Sequence, residues 1–83
     1  MASDTPAGGL PWLRELPEDS RRALPALQVG GAVHAEDRRS RFLLLNGQVV
    51  HEGTEVAPGL VLEQIQPGQA VFSLRGQRWR LPL

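Results

Sequence analysis

Apolar and polar residues alternate with a period of two over most of the chain after residue 27, a pattern that predicts β-strands. Glycine-containing turns interrupt the alternation at Asn46-Gly47, Pro67-Gly68 and Arg75-Gly76. The segment 53–59 has no such alternation and is predicted to be a turn. The pattern therefore predicts a mainly β fold, a small six-stranded antiparallel sandwich or half-barrel.

The region before the strands predicts one short helix at about residues 17–24. Pro17 suits the first turn of a helix, acidic residues follow it, arginines come next, and Pro25 ends it. Residues 1–11 are predicted to be a disordered leader or linker remnant, and residues 12–83 to be one small domain. Four apolar side chains are expected to anchor the helical region to the sheets: Trp12, Leu13, Leu16 and Leu24.

The last hairpin is predicted to have one buried face. A two-residue turn at Arg75-Gly76 pairs Phe72 with Trp79, and both side chains then face the core with their apolar neighbours. The opposite face carries Val71, Ser73, Arg78 and Arg80 and is expected to face solvent.

The hairpin around Asn46-Gly47 is apolar on both faces. Pairing through this turn gives one face with Phe42, Leu44, Val49 and His51, and a second face with Leu43, Leu45, Gln48 and Val50. Arg41 then lies opposite Glu52, and we expect this ion pair to be exposed to solvent. The second face either packs into the core, which is the favoured interpretation, or binds a partner. The candidate partner-binding residues are Leu43, Leu45, Val50, Arg41 and Glu52.

Two positions are expected to interrupt the regular pairing of strands. Gly30-Gly31 indicates a bulge or a close approach of two backbones. Simple pairing through Pro67-Gly68 would place Glu63 on the Phe72 face and Leu62 outside, so we expect a bulge or a longer loop to correct that register.

Composition gives little support to catalysis or to nucleic-acid binding. The chain has nine arginines, no lysine, nine acidic residues and no cysteine, so its net charge is zero and it has no thiolate ligand or nucleophile. His34 and His51 are the only histidines, and their spacing indicates no metal site. We therefore expect no enzymatic activity, no metal and no cofactor. A weaker alternative is single-stranded nucleic-acid binding through Trp79 and its neighbouring arginines.

Five segments follow one another between about Leu16 and Leu83: ALPAL, GGAVHAED, RFLLLNGQVVHEG, APGLVLEQI and VFSLRGQRWRLPL. With these segments in this order, the chain resembles the C-terminal domain of type II secretion system protein B. That resemblance implies a periplasmic docking or assembly domain of an inner-membrane protein in a Gram-negative bacterium, whose membrane anchor lies outside this segment. It implies no enzymatic role and a small β-sandwich or half-barrel fold.

The resemblance also implies partners. They are the N-terminal periplasmic domains of the secretin, which this family helps to place or assemble, and the ATPase protein A of the same system. Docking by adding a strand edge to edge is one expected mode. Self-association into a homodimer through the same edge or patch is a further alternative. Nucleic acid is not an expected partner.

Overall fold

Two antiparallel sheets form the molecule in a computed structural model that describes residues 9–83. The first sheet has the order β1-β2-β3, with strands Val29–Val33, Phe42–Leu45 and Gln48–His51. The second has the order β4-β5-β6-β7, with strands Glu55–Ala57, Leu60–Gln66, Gln69–Leu74 and Gln77–Pro82. The two antiparallel sheets confirm the prediction of a mainly β fold, and over these residues they do not close into a barrel.

The structure has seven strands where the sequence pattern predicts six. The additional strand is β4, which lies in the segment 53–59 that we predicted to be a turn. Its residues Glu55 and Ala57 pair with Val61 and Leu60 of β5 across an irregular register. A strand of three residues is too short to show an alternating pattern, which explains why the sequence did not indicate it.

The predicted helix is present but shorter than expected. Helix α1 spans Glu18–Arg22, with Pro17 as its N-cap and Ala23 as its C-cap. The predicted end at residue 24 is wrong because the residue before Pro25 is disfavoured in a helical conformation. Short 3₁₀ turns lie on either side of β1 in the chain, at Leu13–Glu15 and Arg38–Ser40.

The core lies between the two sheets and is closed at one end by the helical region. Phe72 and Trp79 are both fully buried and stack with ring centroids 5.1 Å apart, as the pairing through Arg75-Gly76 predicts. Leu16 is the helical-region side chain that enters the core, with 4% of its surface exposed. Leu13 and Leu24 pack against the core from its margin.

The turns fix the registers that the sequence predicts. Around Asn46-Gly47, Leu45 pairs with Gln48 and Leu43 with Val50. The main chain has positive φ at both turn residues, 52° and 81°, the conformation that an Asn-Gly hairpin turn requires. The expected bulges are also present: the register of β1 shifts between Val29 and Gly31, and that of β5 shifts between Leu62 and Gln64. The second shift brings Leu62 opposite Phe72, inside the core.

Two outer-face residues of the last hairpin, Val71 and Ser73, are buried, contrary to the prediction. Val71 is fully buried although it pairs with Arg80 on the face expected to be wet. Strand β6 is an inner strand, so Val71 lies between Gln64 of β5 and Arg80 of β7, and Ser73 lies between Val61 and Arg78. The segment before the helix runs beside β7: the Arg80 N–H donates to Pro11 O at 2.8 Å, and its Nε donates to Leu10 O at 2.8 Å. Leu10 and Pro11, assigned above to the leader, are therefore hydrogen-bonded to the sheet, and residues 1–8 of that leader lie outside the described residues.

Candidate functional site

Strand β1 has an open edge. It pairs with β2 on one side, and no strand within residues 9–83 pairs with its other side. Four of its five residues, all except Val29, are exposed. An edge strand with free N–H and C=O groups can pair with an extended segment of another chain, so β1 is a candidate docking element.

Small residues make this edge accessible. A Cβ atom on Gly30 would lie 3.1 Å from Cδ2 of Leu44, so glycine allows the bulge of β1 to lie close against β2. A Cβ atom on Gly31 would meet nothing within 4 Å. The strand contains no charged side chain, whereas natural proteins often protect sheet edges with charges.

A groove separates β1 from the turn between β5 and β6. We call it the β1 groove: it has a volume of about 530 Å³, with Val29–Ala32 as one wall, Ile65–Gly68 as the other, and Leu83 and His34 also lining it. A neighbouring depression shares His34 and part of the second wall and extends to Arg38 and Arg41. An extended segment paired with β1 would have space for its side chains in this groove.

The outer face of the three-stranded sheet is partly apolar. Val49 is 56% exposed and Val33 42%, and Phe42 and Leu44 are half-buried on the same sheet. His51 packs edge-on against Phe42, with ring centroids 6.4 Å apart. This is the first of the two hairpin faces defined from the sequence, and it is the one that reaches solvent.

The three aliphatic residues of the second hairpin face lie in the core. Leu43 is fully buried, Leu45 is 4% exposed and Val50 is 8% exposed. They belong to the same cluster as Phe72 and Trp79, so they hold the two sheets together. Of the two hairpin faces, a partner could reach only the opposite one without displacing a sheet. In the folded domain the second face packs into the core, which is the interpretation favoured from the sequence.

Arg41 and Glu52 come together as predicted, but the expected exposure of the pair is wrong. The Glu52 side chain is 6% exposed, and Arg41 Nη1 lies 3.5 Å from its Oε2. Arg38 Nε donates to Oε1 at 2.9 Å, and the Ile65 N–H donates to Oε2 at 2.8 Å. Because β4 pairs only with the beginning of β5, the edge of β5 at Ile65 has no strand beside it, and the buried carboxylate takes that place.

The electrostatics of Glu52 are those of a structural group. Burial acts to raise its pKa, but the hydrogen bonds from the Ile65 N–H and Arg38, with the charges of Arg38 and Arg41, outweigh burial and lower the pKa from its usual 4.5. The lowered pKa favours the ionised carboxylate, which accepts from three donors. Such a group can tie the end of β3 to β5.

The histidines show no metal-binding arrangement. His34 lines the β1 groove, while His51 Nδ1 lies 3.0 Å from Arg41 O on the other side of the hairpin. Among the described residues, no group of three or more histidine, cysteine, aspartate or glutamate side chains could hold a metal ion. No helix in residues 9–83 is long and apolar enough to cross a membrane.

The surface proposed for single-stranded nucleic acid is not formed. Trp79 is fully buried and stacked on Phe72, so it cannot stack on a base. Arg78 Nε lies 2.7 Å from Glu63 Oε1, close enough for an ion pair although it is not aligned as a hydrogen bond. The other tryptophan, Trp12, is half-buried, with the Arg80 guanidinium 3.9 Å from the centre of its ring.

Sequence reasoning missed the open edge of β1 as a candidate site. The available signal was the run Val-Gly-Gly-Ala-Val at 29–33, which is extended, uncharged and built mostly of small residues. Small side chains do not cover a strand edge, so such a run at the margin of a sheet leaves the main chain open. The position of β1 at that margin depends on the strand order, which the pattern does not give.

Comparison with known proteins gave one family and one similar curated protein. The family model described as type II secretion system protein B matches residues 24–83. The general secretion pathway protein B of Aeromonas hydrophila is 34% identical over 62 residues, which are 75% of this chain and 27% of that protein. The chain thus spans about a quarter of the length of this relative. No solved structure matches the chain.

Proposed function

Because the chain belongs to the type II secretion system protein B family, we propose that it is a non-enzymatic docking and assembly domain of that secretion system. In this proposal the domain binds a partner by pairing its β1 edge with an extended strand of that partner. Main-chain hydrogen bonds supply affinity, and side chains that enter the β1 groove supply specificity.

The observation that carries the proposal is the open edge of β1 beside a groove. Four residues of β1 are exposed, their main-chain groups that point away from β2 have no strand partner within residues 9–83, and the wall Ile65–Gly68 lies across from them. The buried Glu52 and the stacked aromatic pair are structural, so the described residues offer docking geometry rather than a reaction centre.

The proposed partners are the N-terminal periplasmic domains of the secretin and the ATPase protein A. The domain would then work in the periplasm, as part of a longer protein anchored in the inner membrane of a Gram-negative bacterium. The greater length of the Aeromonas hydrophila relative supports the idea that such a domain is one part of a longer protein.

Binding to these partners can be tested by calorimetric titration with the purified secretin domains and, separately, with the periplasmic part of protein A. Hydrogen exchange on the complex then reports where binding occurs. Within residues 29–33 we expect the amides that point away from β2 to become protected, because strand pairing engages them directly. Binding without protection of β1 would contradict strand addition while leaving a docking role intact.

A substitution in the groove provides a second test. Ala32 is exposed and lines the β1 groove, so Ala32→Glu should leave the fold intact and weaken binding about tenfold or more by filling the groove with a charge. Ala23→Glu is a matched control, since Ala23 is exposed at the end of α1 and outside the groove. Equal affinities of the two variants would exclude the groove as the binding site.

Self-association is the second candidate, because the same open edge could pair with β1 of another copy. Sedimentation at several protein concentrations separates the two. A monomer over the range in which the secretin domain binds would favour docking. A concentration-dependent dimer that protects the β1 amides, and that the partner does not disrupt, would favour self-association.

A further inference from the structure

A second surface lies at the four-stranded sheet, where the segment before the helix runs beside β7. We call it the Trp12 groove: it has a volume of about 410 Å³ and is lined by Trp12, Leu13, Arg14, Arg21, Leu81 and Pro82. Most of these residues belong to the part of the chain before residue 24, which the secretion-protein family model does not match. The Trp12 groove shares no lining residue with the β1 groove, although Pro82 of the first is followed directly by Leu83 of the second.

The indole of Trp12 is held in place by its neighbours. Its main chain bridges Arg80 of β7 in a parallel manner, and the Arg80 guanidinium lies 3.9 Å from the ring centre. The main-chain N–H of Trp12 donates to Glu15 Oε1 at 2.8 Å, which fixes the start of the 3₁₀ turn. A half-buried aromatic ring fixed in this way is a preorganised contact surface, which lowers the entropy cost of binding.

Two guanidinium groups lie beside this apolar floor. Arg14 and Arg21 line the groove, whereas the Glu15 carboxylate, which accepts from the main-chain N–H of Trp12, is not among the lining groups. The salt bridges within residues 9–83 involve Arg22, Arg38, Arg41 and Arg78, so neither Arg14 nor Arg21 forms an ion pair with a described acid. Two guanidinium groups beside an apolar floor fit a ligand that combines carboxylates with apolar side chains.

We propose that the Trp12 groove binds an extended acidic peptide segment of a partner protein. An apolar side chain of the peptide packs on Trp12 and Leu81, and flanking carboxylates bind Arg14 and Arg21. A peptide supplies both chemical features at the spacing of neighbouring residues, and arginine clusters are a recurring means of recognising acidic motifs. The site is independent of strand addition at β1.

The probe for this site is the capped peptide acetyl-Glu-Leu-Glu-Leu-Glu-amide, titrated into the domain at low salt. Two indole N–H signals report on it by nuclear magnetic resonance, because Trp12 lines the groove and Trp79 is fully buried elsewhere. We expect the Trp12 signal to shift with saturation below about 1 mM peptide. The Trp79 signal should stay in place, which also shows that the fold is intact.

Variants and control peptides identify the chemistry. Arg14→Gln combined with Arg21→Gln should weaken binding about tenfold or more, and added salt should weaken it further. Arg39→Gln is the matched control, since Arg39 is exposed and lies outside the Trp12 groove. The proposal is overturned if the Trp12 signal does not shift, if a Gln-Leu peptide binds equally well, if Arg39→Gln has the same effect as the double variant, or if an oligothymidine of eight nucleotides binds in preference to the peptide.

Discussion

Replacing Glu52 with glutamine should destabilise the domain more than any other single acid-to-amide change among the described residues. The side chain is 6% exposed and receives donors from Arg38, Arg41 and the Ile65 N–H. Glutamine keeps the size and one oxygen acceptor, but it removes the charge that compensates two guanidinium groups. The amide also brings two N–H donors into a site that supplies donors only.

The size of the effect follows from the exposure of each partner. Arg38 is 68% exposed and can regain water when the carboxylate is lost, whereas Arg41 is 20% exposed and regains little. Hydrogen bonds to charged groups contribute about 1.5–3 kcal/mol, and breaking a fully buried pair costs about 3–5 kcal/mol. We therefore expect Glu52→Gln to lower the free energy of unfolding by about 2 kcal/mol, which for a domain of this size lowers Tm by roughly 8–16 °C.

Urea denaturation followed by tryptophan fluorescence at pH 7 measures this loss. Glu18→Gln is the matched control, because Glu18 pairs with Arg22 at 3.2 Å but both side chains are about two-thirds or more exposed. An exposed pair of this kind contributes about 0.3–0.5 kcal/mol. Equal stability losses for the two variants would refute the inference that Glu52 is a buried structural link.

The pH dependence gives a second check. The folded-state pKa of Glu52 lies below the usual value of 4.5, so the folded protein binds this proton less readily than the unfolded chain. The stabilisation is therefore complete above pH 4.5 and is lost as the pH falls through the folded pKa. The stability difference between the natural protein and Glu52→Gln should shrink between pH 7 and pH 3, and a difference that stays constant would refute the electrostatic explanation.

Three further changes test the fold. Asn46→Ala removes two side-chain hydrogen bonds of 2.8 Å to the segment before β1, and alanine is less suited than asparagine to the positive φ at this position. Urea denaturation should therefore show that the free energy of unfolding falls by about 1–2 kcal/mol. Gly30→Ala should lower Tm because its Cβ would lie 3.1 Å from a β2 side chain, whereas Gly31→Ala should leave Tm almost unchanged. Phe72→Leu should remove the stacking on Trp79, reduce the near-ultraviolet circular dichroism signal and cost about 1–2 kcal/mol; an unchanged signal would contradict the stacked geometry.

The hairpin registers could be predicted from the sequence because each two-residue turn determines them. Asn46 and Arg75 both have positive φ, 52° and 51°, and each is followed by a glycine that also has positive φ. Once such a turn is fixed, every cross-strand pair and both faces follow by counting. The core positions of Phe72 and Trp79 follow in the same way.

Contacts between elements far apart in the chain could not be predicted in this way. Cross-strand counting placed Arg41 beside Glu52. The burial of Glu52, however, involves the Ile65 N–H, which donates to its carboxylate. That N–H is available because β4 pairs only with the beginning of β5, and the bulge in β5 lies just before it. Likewise, the main chain at Pro11 is hydrogen-bonded to Arg80 of β7, a contact that lies outside every hairpin. A hairpin pattern identifies which residues share a face, but not what packs on that face.

The sheet edges differ in how they are protected, and this difference supports β1 as the docking element. The edge of β7 carries Arg78 and Arg80, and the segment at Pro11 is hydrogen-bonded along it. Strand β4 has only three residues, and the β5 edge beyond it receives the Glu52 carboxylate. Charges, short strands and covering segments are devices that prevent unwanted pairing. Strands β1 and β3 are the two edges of the three-stranded sheet, and neither contains a charged side chain. Strand β1 has a bulge at its beginning, but four of its residues form the wall of a groove, and this groove is what favours β1 over β3 in the docking proposal.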